Sequence, residues 1–205
     1  MAWPFRDVFV ECDVQKHVDA GDLAPVIARL TDELARGRTP FASARTFDFT
    51  TSTSEVRDWL ATCARLIQEQ HSDYPCLYTE MNGFDLNPDR WFASIGPLRV
   101  PASLDSDTWS YELDMRPFPP YLTLSGAEEM QDAFVWWRST WATDRRDDLV
   151  EREEALAEWL VWAKWLVLFQ TAWLEGPIPL VRVPIIVTAH DYDIALLLAP
   201  PPQAT

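Results

Sequence analysis

The stretch from Leu156 to Leu174, LAEWLVWAKWLVLFQTAWL, limits what this chain can fold into more than any other part of it. Placed at about 100° per residue, it carries apolar side chains on nearly every face. Glu153, Ala157, Lys164, Thr171 and Glu175 share the one narrow polar seam. A helix of this kind must be covered on most sides, so the rest of the chain is expected to pack around it. Lys164 in its middle, the acidic run before it and Gly176-Pro177 after it mark a core helix with ordinary ends and not a membrane span. Lys164 has no acid three or four residues away, so it is expected to snorkel along the seam or to meet another element.

A chain of 205 residues, 48% hydrophobic, can bury a full core around such a helix. One domain is expected over residues 1–199, with 200–205 as a frayed tail. No internal repeat or flexible linker interrupts it. The formal net charge of −15 is spread along the chain and is not gathered into an acidic tail. Such a surface repels phosphate backbones and anionic lipid, so no nucleic-acid or membrane partner is expected, whereas a basic protein would be drawn to it. Cys12, Cys63 and Cys76 are odd in number and form no C-x-x-C pair, which points to buried thiols in a reducing compartment. The opening MAWPFRDVFVECD is charged by its sixth residue and lacks an apolar signal core, so a cytoplasmic location is expected.

The remaining elements follow from periodicity. Residues 6–14 and 45–51 alternate apolar and polar side chains and are expected as strands. Asp22 and Pro25 open a helix whose apolar face runs through Leu23, Val26, Ile27, Leu30 and Leu34, with Gly37 as its stop. Ser52 and Glu55 stand in the capping-box relation before the stripe Val56, Trp59, Leu60, Cys63 and Ile67, which ends near His71. Residues 76–81 and 91–95 are expected as a hairpin with a long connection, since FDLNPDRW delays the return after the Asn82-Gly83 turn signal. A strand at 108–115 and a proline-rich extended connector at 116–121 follow. Ser125 and Glu128 suggest a second capping box, before a helix burying Met130, Ala133, Phe134, Trp137 and Trp141 and leaving Trp136 to one side. A bend at 144–148 would fold this helix antiparallel to the Trp-rich one. LVRVPIIVTAHDYDIALLLAP closes the chain as a buried hairpin. The sum is an α+β domain with a mixed sheet, an early pair of amphipathic helices and a late Trp-rich pair.

Two polar stretches could carry chemistry. In EMNGFDLNPDRW, Asp85, Asn87 and Asp89 match the first, third and fifth positions of a calcium loop, but Arg90 and Gly96 stand where glycine and a bidentate glutamate are needed. The same stretch reads as a turn tightened by Asp and Asn, or as a recognition loop edged by Phe84 and Trp91. His190-Asp191-Tyr192-Asp193 reads as a hairpin turn. Brought together, Asp85, Asp89, His190 and Asp191 would suit a metal-dependent hydrolase. The six glycines are too dispersed for a phosphate-binding loop, and G-x-S-x-G is absent. Cys76 and His71, five residues apart across Pro75, give no required thiol–imidazole contact. No cofactor is expected. Most of the eleven tryptophans lie on core stripes, and Trp136 is the one placed to serve as an exposed anchor.

The reading that follows is a non-enzymatic acidic binding protein that masks a basic protein partner, with Glu80, Phe84, Asp85, Asn87, Asp89, Trp91 and Trp136 at its surface. In charge and size alone, the chain resembles the immunity proteins that block nuclease-type toxins. The competing readings are the metal-dependent hydrolase and a structural subunit of a homo-oligomer held by exposed tryptophan.

Overall fold

In a computed structural model the chain is an α+β protein with a mixed five-stranded sheet, described over residues 14–71, 73–84, 86–99, 120–140, 148–189 and 195–200. The elements are α1 (Val14–Asp19), α2 (Ala24–Leu34), a 3-10 helix (Pro40–Arg45), α3 (Thr53–Gln70), β1 (Cys76–Asn82), β2 (Phe92–Leu98), β3 (Leu122–Thr123), α4 (Glu128–Thr140), α5 (Asp148–Leu174), β4 (Ile185–Ala189) and β5 (Leu196–Leu198). Among the described residues no helix is long and apolar enough to cross a membrane. The chain divides into two compact units, each assembled from three stretches of sequence.

The sheet lies in the unit made of residues 51–82, 92–124 and 166–205. Its strand order is β3-β2-β1-β4-β5. β1 and β2 form the expected antiparallel hairpin, running from Cys76 opposite Leu98 to Asn82 opposite Phe92. β4 lies parallel to β1 and antiparallel to β5. Every residue of β4 is buried, which is why IIVTA reads as an unbroken apolar run and not as an alternating one. Two hydroxyls are accommodated inside the sheet by bonding within it. Thr79 Oγ1 donates to the Ser94 carbonyl at 2.8 Å, and Asn82 Nδ2 donates to Ser94 Oγ at 3.2 Å.

α3 begins as its sequence indicates. Ser52 accepts from the Glu55 amide while Glu55 accepts from the Ser52 amide, so two N–H groups at the helix start are satisfied reciprocally. Those bonds hold the Glu55 carboxyl below its usual range. The buried stripe Val56, Trp59, Leu60, Cys63, Ala64 and Ile67 follows at helical spacing, and Trp59 Nε1 donates to the Pro120 carbonyl at 2.6 Å. The N-terminal part of α3 is also tied down by Arg57, whose Nη1 donates to the carbonyls of Ala172 and Gly176 at the end of α5. These C-terminal carbonyls lack helical partners, and a guanidinium supplies the donors.

Cys63 and Cys76 are free and fully buried. Burial pushes both thiols up to about 12. With the folded value above the unfolded one, each thiol favours the fold below the unfolded value and loses that contribution as pH rises toward about 12. At pH 8 the thiolate fraction in the folded chain is roughly one in ten thousand. Native protein is therefore expected to leave both cysteines unlabelled by iodoacetamide at pH 8, with full labelling after denaturation. Peptide mass mapping checks this, and native labelling of either thiol at the rate of a free peptide would contradict it.

The other unit comprises residues 1–50, 83–91 and 125–165. α2 buries Val26, Leu30 and Leu34 and carries proline in its first turn, but Asp22 does not cap it: Leu23 occupies that position without a side-chain bond. The alternation holds in burial over 46–51, with Arg45 exposed, yet makes no strand. Residues 40–45 coil into the 3-10 helix, and the extended piece after it joins no strand among the described residues, although its Thr50 amide donates to the Ser125 carbonyl at 2.9 Å. Period-2 burial reports an extended backbone and does not report a ladder partner. Gly126 sits against this segment at φ +88°, where an added Cβ would come within 2.8 Å of the Asp48 carbonyl oxygen and the Thr50 amide nitrogen. α4 starts at Glu128, so Ser125 lies too far ahead to cap it.

α5 is the buried helix its composition requires, with Leu160, Val161, Trp162, Ala163 and Trp165 fully or nearly fully enclosed. Its seam differs from the expectation at the N-terminal end, where Glu153 is only 4% exposed. The carboxylate accepts from the amides of Arg38 and Thr39 and from the Thr39 hydroxyl, at 2.7–3.1 Å. Gly37 makes room for it: a Cβ there would lie 2.9 Å from Glu153 Oε2. Lys164 meets another element, donating from Nζ to the Phe47 carbonyl and lying 5.6 Å from the Phe47 ring centre. Burial pushes its ammonium below the usual lysine range, and the nearby Asp48 acts in the opposite direction.

The expected strand at 108–115 and the bend at 144–148, apart from Asp148, lie outside the described residues, as does the 6–14 strand except for Val14, which opens α1. Trp141 and residues 201–205 of the tail also fall outside them. α4 packs on the 3-10 helix, with the Phe134 and Phe41 rings 5.0 Å apart and Ser43 Oγ 3.4 Å from Met130 Sδ.

Candidate functional site

Residues 83–91 connect β1 to β2, and they are built around two aromatic side chains that point inward. Gly83 lets the chain pass over the Trp91 indole, where an added Cβ would lie 3.0 Å from Cγ. Phe84 then adopts φ +55°, in the left-handed region that a bulky side chain rarely enters. That conformation costs about 1–3 kcal/mol and persists only where the surroundings impose it. Here they do: the Phe84 ring lies 5.3 Å from Trp91 and 5.5 Å from Phe134, and Trp91 lies 5.8 Å from Phe134 and 6.3 Å from Phe47. Two backbone bonds close the turns above this plug, from the Asn87 amide to Gly83 and from the Arg90 amide to Asn87.

Phe84 and Trp91, expected as the edge of a recognition surface, are instead 5% and 0% exposed. A turn rich in polar residues draws its rigidity from what lies beneath it, and these two rings fill that role. Trp91 Nε1 has no hydrogen-bond partner among the described residues. What reaches the surface is Leu86, at 50% exposure, with Asp89 and Arg90 exposed and Asn87 half-buried. Asp85 lies outside the described residues, as do His190 and Asp191, so of the four residues proposed for a metal only Asp89 is described. Among the described residues no group of three potential ligands stands together. Glu80 belongs to the sheet, where Tyr78 Oη donates to its Oε2 at 3.1 Å.

Trp136 joins the same aromatic cluster from α4. Its ring lies 6.5 Å from Phe41, which in turn contacts Phe134, and it remains 40% exposed. Phe134 and Phe41 thus link the Phe84 and Trp91 rings to Trp136, and of these three Trp136 alone is at the surface. On the exposed face of α4, sequence reasoning passed over Glu129, Asp132 and Val135, although the spacing that set Trp136 off the core stripe also places them outward.

The site thus defines an α+β protein that presents a braced loop and an exposed tryptophan on an acidic chain. Compared with protein-family models, with curated proteins and with solved structures, the chain matches none.

Proposed function

We propose that this protein acts by binding, masking a basic protein partner through the 83–91 loop and Trp136. The observation that carries the reading is the left-handed Phe84 locked beneath the loop. Strain of this kind is retained where a conformation matters, and a loop held in one shape loses little entropy when a partner settles on it. Leu86 and Trp136 supply apolar anchors, while Asn87 and Asp89 supply polar contacts around them. The charge of −15 would steer a cationic surface toward this one and speed encounter more than it tightens the final complex.

Passing source-cell lysate over the immobilised full chain at low and at high salt tests this. A basic protein is expected to be held at low salt and released at high salt. Purified, it should bind the Leu86→Ala and Asp89→Asn variants several-fold more weakly than the parent. If nothing basic is held at low salt, or if both variants bind as the parent does, the reading is wrong.

A further inference from the structure

α4 carries its charge and its exposed apolar surface on one outward face. Glu128, Glu129 and Asp132 lie exposed along its N-terminal half, and Val135 and Trp136 follow at 45% and 40% exposure. Asp132 stands four residues before Trp136 and four after Glu128, so the three share a ridge. Glu129 and Asp132 make no side-chain hydrogen bond or ion pair among the described residues. Glu128 and Asp132, at i and i+4, are like charges that disfavour the helix slightly, although the first-turn acids gain from the helix dipole. An acid face left unneutralised beside a half-exposed indole is complementary to one side-chain chemistry in particular. A guanidinium is cationic, planar and weakly hydrated: it stacks on an indole and offers paired N–H donors to a carboxylate one turn away.

We infer that this face of α4 is a docking surface for an arginine-bearing basic segment, with the guanidinium stacked on Trp136 and hydrogen-bonded to Asp132. The inference rests on the binding role proposed above and gives it a partner chemistry. Val135, also exposed on this face, adds apolar surface for the segment to cover, while Glu129 extends the acidic track for a second cationic residue. A lysine in the same place would be a compact, strongly hydrated charge without a flat face, and would bind more weakly.

The test uses the full-length protein and a fluorescein-labelled decapeptide of alternating arginine and glycine, followed by anisotropy at low salt. The parent is expected to bind it, and the lysine-for-arginine peptide several-fold more weakly. Trp136→Ala should weaken the arginine peptide by about tenfold, as loss of a central aromatic anchor does. Asp132→Asn should weaken it several-fold, while Asp58→Asn, which removes an exposed acid from α3, should leave it unchanged. Circular dichroism of each variant confirms the fold. If Asp58→Asn costs as much as Asp132→Asn and Trp136→Ala costs nothing, attraction is diffuse and the docking surface is overturned while a basic partner stands. If the parent binds neither peptide, the basic-partner reading falls with it.

Discussion

Phe134→Ala is expected to lower the unfolding free energy by about 3–5 kcal/mol, the usual range for truncating a fully buried phenylalanine. The ring is 0% exposed and touches Phe41, Phe84 and Trp91 at 5.0, 5.5 and 5.8 Å. Removing it leaves a cavity whose lining side chains lose contacts on one side at once. The consequence reaches the surface, because Phe84 holds its left-handed conformation only while Phe134 and Trp91 enclose it. With that enclosure gone, the 83–91 loop is expected to relax and amide exchange at Leu86 to Arg90 to speed up. Phe134→Leu keeps most of the volume and should cost less than about 1.5 kcal/mol with the loop still protected. Urea unfolding followed by tryptophan fluorescence reads the stability, and hydrogen exchange reads the loop. A Phe134→Ala variant within 1 kcal/mol of the parent would show that the cluster does not brace the loop.

Glu153→Ala should cost about 3 kcal/mol, for a different reason. Its carboxylate, 4% exposed, satisfies two backbone amides and one hydroxyl from residues 38 and 39. Truncation leaves those donors buried without an acceptor, and an unmet buried donor costs more than its hydrogen bond contributes when made. Glu153→Gln is the sharper comparison. Glutamine has nearly the same shape but turns an NH2 group toward a site that contains only donors, so it should recover only part of the loss, about 1–2 kcal/mol below the parent. Equilibrium unfolding of the three proteins decides it. Equal stability of the alanine variant and the parent would mean that water satisfies residues 38 and 39 as well as the carboxylate does.

Several local signals in this sequence carried over into the structure, although Asp22 and Ser125 do not cap the helices that follow them. Ser52 and Glu55 specify the start of α3 because a capping box involves four consecutive residues and no distant partner. The Leu156–Leu174 run specifies a buried helix, whatever buries it, because an all-apolar helix has no stable place on a surface. IIVTA and the 76–98 hairpin were legible for similar reasons, since a buried strand needs apolar side chains on both faces and a turn needs turn residues.

Partnership was not legible. Residues 45–51 alternate as a strand does, but only the fold shows that no ladder receives them among the described residues. Glu153 lies on a polar seam of the helical wheel and reads as exposed; the amides that bury it come from a loop more than a hundred residues away. Phe84 and Trp91 sit in a polar stretch that looks like an edge, and only packing against Phe47 and Phe134 turns them inward and leaves Trp136 outside. Sequence alone determined where the longer helices run, that β4 is buried and how much charge the chain carries, because each depends on neighbours along the chain, whereas α1 and the 3-10 helix were not read from it. Tertiary structure decided which aromatic rings brace the loop and which one is left to meet a partner, because burial of a single side chain depends on contacts that periodicity does not encode.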